Sequence, residues 1–510
     1  MFSEKIKSYF PSTRGEWIKY TLTSLPIIFA AMILSINSFV DNFMATSISG
    51  GNQALSYSNQ WTQYCSGIIS ATTLVGSALF GQYLGLGDNV KIREVIRTRV
   101  LIAWIIALIF VIPALSAPHF LIDVASGFDK NLDQDIANSA VIYLRVITIS
   151  WILQALFYTL SMIIRESGYG KISLFASIIS LGINVIFNSI FTYAIGMGIL
   201  GLAISTIISL VVPIVFIYVF IILKDKRLIF NPLKIFVISK IVWIQIGKRI
   251  PTFILATIGS VAITTRFIFW NIGYSTGRVG SNPEYYLSAA NILGISGMFF
   301  NIFWTTFESI NANVAIFVGR ELGNSNFERA KINAKQLQGF HLTFACILGL
   351  MLFSLSFAIE KMTFLTQGYT QQLEQSLINN YGEQDGKNMF IKIKSSAIRE
   401  YMENLKWTIW PLAWNMPMWI WYITKSRIIS GGGKTNVVSL TDAINGLVQI
   451  GWIALINFVI AKHTSIAFPW AYAIFFLSDL LKVPLFEILY RKIQWARNLT
   501  VEGTQPKSLE

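Results

Sequence analysis

The chain has 510 residues with a formal net charge of +14; 54% of them are hydrophobic and only 13% are charged. A soluble globular protein carries about twice that charged share, so an ordinary water-soluble enzyme or binding module is excluded. The two cysteines, the three scattered histidines and the lack of a P-loop argue against a disulfide scaffold, a zinc centre and an ATPase.

Apolar runs of about 20 residues, long enough to cross a hydrocarbon core, recur along the whole chain. They predict twelve membrane segments, near 20–45, 54–80, 99–120, 138–163, 172–195, 199–223, 241–270, 287–317, 338–363, 405–428, 437–461 and 466–489. No cleavable signal is expected, because the first run is long and lacks a small-residue cleavage site. Residues 1–14 are mildly amphipathic and read as an interfacial segment on the inner membrane surface. Segment 1 carries Pro26, expected to bend it, and Asp41, with no basic residue in the same span. A bare carboxylate there must face a partner or water, or be protonated. Asp41 is therefore a candidate carrier of H+ or a ligand for Na+. In segment 5, Asn184 and Asn188 lie one helical turn apart and share a face. Their amide oxygens suit Na+ or a protonated Asp41. Thr206 in segment 6 is weaker, since Thr often bonds its own helix backbone.

Residues 225–239 read as a cytoplasmic linker. Beyond it, Pro251 is expected to bend segment 7, which also carries Arg266. Glu308 lies in segment 8. These two charges are expected either to pair with each other or to line a cavity, where Glu308 attracts a cation and Arg266 an anionic head group. Stretches 271–285 and 366–400 read as added loop. Segment 10 holds five tryptophans, broken by Pro411 and Pro417; Trp410, Trp414 and Trp421 share a face that serves either an interfacial belt or a stacked substrate. Asp442 reads as a solvated segment end, and Asp479 with Lys482 as a local pair. Residues 491–510 read as a cytoplasmic tail.

The chain also repeats itself once. Gly81-Gln82-Tyr83-Leu84-Gly85-Leu86-Gly87-Asp88 returns 238 positions later as Gly319-Arg320-Glu321-Leu322-Gly323-Asn324-Ser325-Asn326. Ser167-Gly168-Tyr169-Gly170-Lys171 is echoed by Gly431-Gly432-Gly433-Lys434. Pro26 and Pro251 form a third pair, under which Arg266 is the counterpart of Asp41. A two-fold repeat in a membrane chain points to a transporter with a site between two similar bundles. The glycine stretches lack the Lys-Ser/Thr ending of a phosphate cradle and read as tight turns that let two helices approach closely. Basic residues cluster in alternate connections, while others are uncharged or acidic, as with Asp123, Asp129, Asp133 and Asp135. That alternation places both termini in the cytoplasm and assigns the positive charge to membrane topology, not to nucleic acid.

With these motifs in order, the chain resembles the multidrug and toxic compound extrusion (MATE) family, within the wider multidrug/oligosaccharidyl-lipid/polysaccharide flippase superfamily. The likeness runs over nearly all of residues 15–490. It rests on Pro26 followed by Ser38 to Ala45, on the glycine loop 81–88, on Tyr143-Leu144-Arg145, on Arg165 to Lys171, on Asn184-x-x-x-Asn188, and on Met197 to Thr206. The resemblance implies an all-α polytopic protein with two pseudo-symmetric six-helix bundles, 15–224 and 240–490. It implies an ion-coupled (H+ or Na+) exporter of organic cations or amphipathic drugs, without a cofactor, working as a monomer in a cell inner membrane. Ile, Asn, Phe and Lys richness suggests a bacterial source. Asp41, Asn184 and Thr206 match the family's coupling pocket; Asn188 stands where a second carboxylate is usual. A lipid-linked sugar or polysaccharide flippase is the near alternative, favoured by Arg266 and disfavoured by Asp41 and Glu308. The major facilitator class fits poorly, because Gly85 and Leu86 stand where its loop motif has Asp-Arg. A membrane transferase would need a catalytic cluster that is not evident.

Overall fold

The computed structural model describes residues 7–45, 48, 51–125, 134–359 and 361–502. Asp129, Asp133 and the outer parts of the two expected terminal segments (1–6 and 503–510) lie outside the described residues. Every regular element among the described residues is helical. Helices α1 (Arg14–Ala45), α2 (Gly51–Leu86), α3 (Asn89–Ser116), α4 (Gln134–Glu166), α5 (Gly170–Asn188) and α6 (Ile199–Lys224) make the first half. A π turn, Ser189–Ala194, continues α5. Residues between α6 and Ser239 include two short 3-10 turns, Lys226–Leu228 and Pro232–Lys234.

The second half runs through α7 (Ile250–Gly273), α8 (Ala289–Phe303) and α9 (Thr306–Asn313), which continues through a π turn Val314–Gly319 to Gly323. Then come α10 (Phe327–Ile359), α11 (Gln367–Tyr381), α12 (Glu383–Gly431), α13 (Thr435–Leu455), α14 (Phe468–Phe475) and α15 (Lys482–Lys492).

All twelve apolar segments fall on helical stretches. Among the described residues, eight helices are long and apolar enough to cross a membrane by that measure alone. The remaining four segments are a polar α2, a segment broken between α8 and α9, the apolar end of α12, and α14–α15 joined by a 3-10 turn. Lipid-facing surface is abundant: only 17% of the apolar window of α7 is buried. The protein is a multi-pass membrane protein.

Two expectations change here. Stretch 366–400 is not a loop: it holds α11 and the first turns of the 49-residue α12. Its apolar Leu373, Leu377, Phe390 and Ala397 are spaced at helical intervals and buried in the second-half core, and that burial holds a polar stretch in a helix. Pro251 does not bend a helix interior: it occupies the first turn of α7, just after the chain breaks at Lys248–Arg249. The missing N–H costs nothing at that position. Pro26, Pro411 and Pro417 do lie inside helices, as do Pro113 and Pro213.

The core falls into clusters that follow the two halves. Two are drawn from residues 44–235 and one from residues 270–495. The chain ends cross over. Tyr20 of α1 joins the second-half cluster, its ring against Phe317 and its hydroxyl donating to Gln336 Oε1 at 2.9 Å. Leu499 packs on a first-half cluster. Residues 7–13 touch the second half: Gly339 N donates to Tyr9 O at 3.0 Å, and the Tyr9 ring meets Trp421.

Candidate functional site: a closed glycine end, a carboxylate pocket and an aromatic cavity

The repeated glycine motif is one local structure used twice. In both copies a helix ends, one residue turns left-handed (Gly87 at φ +76, Ser325 at φ +60), and the next side chain caps the following helix. Asp88 accepts from Val90 N and Lys91 N at 3.1 and 3.0 Å, and Asn326 accepts from Arg329 N at 3.3 Å. The two copies then pack on each other. A Cβ at Gly85 would stand 2.7 Å from Arg320 Cα, and one at Gly323 would stand 2.9 Å from the Gln82 backbone carbon. Only hydrogen permits backbones this close.

Polar bonds seal the same end. Arg320 donates to the carbonyl of Ser167 at 2.7 Å. Asn498 and Leu499 lie across the joint: Leu499 N donates to Gln82 Oε1 at 2.6 Å, and Asn498 Nδ2 to Gly323 O at 3.1 Å. Arg165 of α4 pairs with Glu308 of α9 at 3.1 Å, linking the halves. A Glu308–Arg266 pair was one of the two arrangements expected; the fold puts Arg165 beside Glu308 instead. Next to it, Arg99 and Glu166 form a pair at 2.6 Å with both side chains buried, and Ser77 donates to Glu166 as well.

The first half holds the carboxylate pocket. Asn188 Nδ2 donates to Asp41 Oδ1 at 2.7 Å and to Asn184 Oδ1 at 2.9 Å. Both asparagines are fully buried, and Asp41 forms no ion pair among the described residues. The π turn begins directly after Asn188, a placement frequent at functional sites. Among the described residues, Asn188 Oδ1 has no hydrogen-bond partner. Thr206 donates to its own helix, at Leu202 O and 2.9 Å, so its hydroxyl proton is not aimed at Asp41. Among the described residues no cluster of His, Cys, Asp and Glu fits a metal ion.

The second half holds a cavity of about 640 Å³, closed on one side by small residues of α2 such as Gly67 and Ser70. Trp270, Phe300, Trp304, Trp419 and Tyr472 make its aromatic wall. Its charged residues are Arg266, Arg427, Asp442, Asp479 and Lys482. Asp479 is fully engaged: Lys482 pairs with it at 2.5 Å, Trp419 Nε1 donates at 2.9 Å and Gln449 Nε2 at 2.6 Å. The local pair read from the sequence is thus present. Arg266 donates to Gln449 Oε1 and lies over the Phe475 ring.

Several placements differ from expectation. Trp410 and Trp414 do not line the cavity: Trp410 donates to Ser356 Oγ at 3.2 Å, and Trp414 is 68% exposed toward the lipid side. The 100° turn between neighbouring residues puts Trp419 inward instead. Glu308 is drawn to Arg165 and stays off the wall. Asp442 faces the cavity instead of a solvated end, and Arg427 is a wall residue as well. Lys425 is fully buried and paired with Glu487. The signal for these misses was faint: Arg427 falls at the last residues of an apolar run, where loop and helix read alike.

Residues 26–190 match the MatE family model. Solved structures share the whole fold. A MATE crystal structure in complex with MaL6 has a TM-score of 0.72 at 14% identity, covering 95% of this chain and 97% of that one. A multidrug/oligosaccharidyl-lipid/polysaccharide superfamily transporter from Pyrococcus furiosus, described by a binding pocket of reverse polarity that suggests a different function, has a TM-score of 0.72 at 14% identity, covering 96% and 99%. An outward-facing multidrug resistance MATE transporter has a TM-score of 0.69 at 14% identity, covering 98% and 99%. No curated protein sequence matches the chain.

Proposed function

We propose that this chain, which carries a MatE domain and has the fold of MATE transporters, is an ion-coupled secondary transporter that exports amphipathic small molecules by alternating access. Members of that family are transporters and not enzymes. The observation that carries the reading is Asp41: a carboxylate in a membrane helix, held by Asn188 and without a basic partner among the described residues. Such a charge is expensive in a bilayer and needs a cation, so H+ or Na+ is the natural occupant. Asn188, in place of a second acid, leaves one negative charge to neutralise, which fits one monovalent ion per cycle.

Two six-helix halves, 15–224 and 240–490 joined by linker 225–239, would rock about the cavity, with all twelve segments spanning and both termini inside. The glycine end carries the basic connections and is cytoplasmic on this topology. Its tight closure makes this the state shut to the cytoplasm. Ion binding at Asp41 favours one state and substrate in the cavity the other. Pro26, Pro411 and Pro417 offer bending points. We take the protein to be a bacterial inner-membrane monomer.

The substrate class implied by the resemblance, organic cations, has Asp442 as its one unpaired carboxylate on the cavity wall. A second reading, a lipid-linked sugar or polysaccharide flippase, is favoured by Arg266 and Arg427 on that wall. The reverse pocket polarity described for the Pyrococcus furiosus transporter of similar fold supports keeping this reading.

The test is flux in proteoliposomes under an imposed H+ or Na+ gradient, with ethidium and a naphthalenesulfonate as probes. Wild type should move one probe under one gradient, and Asp41→Asn should abolish the gradient dependence. Wild-type behaviour in Asp41→Asn would remove the coupling assignment.

A further inference from the structure

We infer that the cavity of the second half is built for an amphipathic anion: an apolar or aromatic body bearing a sulfonate, carboxylate or phosphate. The inference rests on the transporter reading and names its substrate class.

Charge and hydrogen-bond supply on the wall carry it. Lys482 and Asp479 cancel, and Asp479 has its remaining acceptor sites filled by Trp419 and Gln449. What remains is Arg266, Arg427 and Asp442. Neither guanidinium forms an ion pair among the described residues. Arg266 spends one N–H on the neutral Gln449, and among the described residues its Nε has no partner. Among the described residues the Arg427 Nε is unpartnered too, and its guanidinium lies over the Phe307 ring, 5.1 Å from the centroid. Asn445, a further lining residue, has a buried Nδ2 that also finds no acceptor among the described residues. Two cations thus share the lining with one carboxylate outside the Asp479–Lys482 pair.

Unsatisfied guanidinium donors at membrane depth are costly, and an anion accepting from both relieves that cost. Planar forks of this kind suit oxyanions with two or three acceptor oxygens. Aromatic rings of the same lining, Trp270, Trp304 and Trp419, supply the apolar surface beside the arginines. The volume of about 640 Å³ lies within the range of small-molecule sites. Asp442 then acts against the ligand, as a like charge that limits affinity and permits release.

Binding to the full chain in phosphatidylcholine nanodiscs tests this, by equilibrium dialysis with empty nanodiscs as background. The probes are 2-naphthalenesulfonate, geranyl diphosphate and ethidium. Either anion should bind saturably and at least about tenfold tighter than ethidium. Arg266→Gln and Arg427→Gln should each weaken the anion about tenfold, the loss of one charge-assisted hydrogen-bonding group. Asp442→Asn should tighten it, and Arg427→Lys, which keeps the charge, should retain most of it. Preference for geranyl diphosphate identifies an isoprenoid-linked anion, and preference for the sulfonate a freely diffusing one; both uphold the inference. Tighter ethidium binding that Asp442→Asn weakens overturns it, as does anion binding indifferent to both arginines or absent. The transporter reading fails separately, by loss of gradient-driven, Asp41-dependent flux. Unliganded melting temperatures identify any variant that has not folded, and the Arg427→Lys and Asp442→Asn results then decide.

Discussion

Substituting Gly323 by Ala puts the closed glycine end under a defined load. The new Cβ would stand 2.9 Å from the Gln82 backbone carbon and 3.0 Å from its Cα. Carbon atoms rest about 3.5–4.0 Å apart, so α2 and the end of α9 must separate by about 0.5 Å or more. The atoms in the way are backbone, and no side chain can swing aside. Overpacking of this kind costs about 1–3 kcal/mol. Applied to the closed state alone, it depletes that state about 5- to 150-fold relative to an open one. The control is Gly182→Ala in α5, where a Cβ meets nothing within 4 Å. Spin labels at Val90 and Glu328, both exposed, report the joint in a background lacking Cys65 and Cys346. Wild type and Gly182→Ala should give one narrow distance. Gly323→Ala should add a longer population and lower the melting temperature. If it keeps the single distance and melts with the control, the repeated motif is not a backbone-to-backbone closure and the reasoning is wrong.

Glu308→Gln leaves Arg165, 4% exposed, without its anion, and should cost about 2–3 kcal/mol in thermal or denaturant unfolding; a double-mutant cycle with Arg165→Gln should recover much of that. In the linker, burial pushes the Asp225 carboxyl up, but hydrogen bonds from Arg227 and its charge outweigh that and hold it below the usual value. A depressed carboxylate pKa adds stability above the unfolded-state pKa and loses it as pH falls through the folded one. The melting-temperature gap between wild type and Asp225→Asn should therefore be full at pH 7 and shrink as pH falls through the lowered folded-state pKa. Removing residues 493–510 takes away the backbone bonds to Gln82 and the Asn498 bond to Gly323; the two labels at the glycine end should then show wider spread, with the fold intact by circular dichroism.

Much of the molecule was legible before folding. Every helical stretch needed for twelve segments lay in runs of apolar residues, because a bilayer demands about 20 of them in a row and internally satisfied backbones. The local pairing of Asn184 with Asn188 and of Asp479 with Lys482 was equally legible, since side chains three or four apart on a helix meet whatever the tertiary fold. The repeat located the motif and implied that it mattered. The capping by Asp88 and Asn326 and the left-handed Gly87 suit those residue types, whereas Ser325 in the left-handed region does not follow from its type.

Only the tertiary structure decided which distant charges meet. Arg165 found Glu308, Arg99 found Glu166, and Arg266 was left with a glutamine. Sequence order gives no separation in space for residues on different helices, and electrostatic energy depends on that separation. The same holds for orientation: the tryptophans of α12 differ in role because a 100° step per residue turns Trp414 to the lipid and Trp419 to the cavity. Composition therefore determined the environment and the helices. Packing determined that the two glycine copies close on each other, that Asp41 stands without a counter-charge among the described residues, and that two arginines line a cavity without an ion pair among those residues.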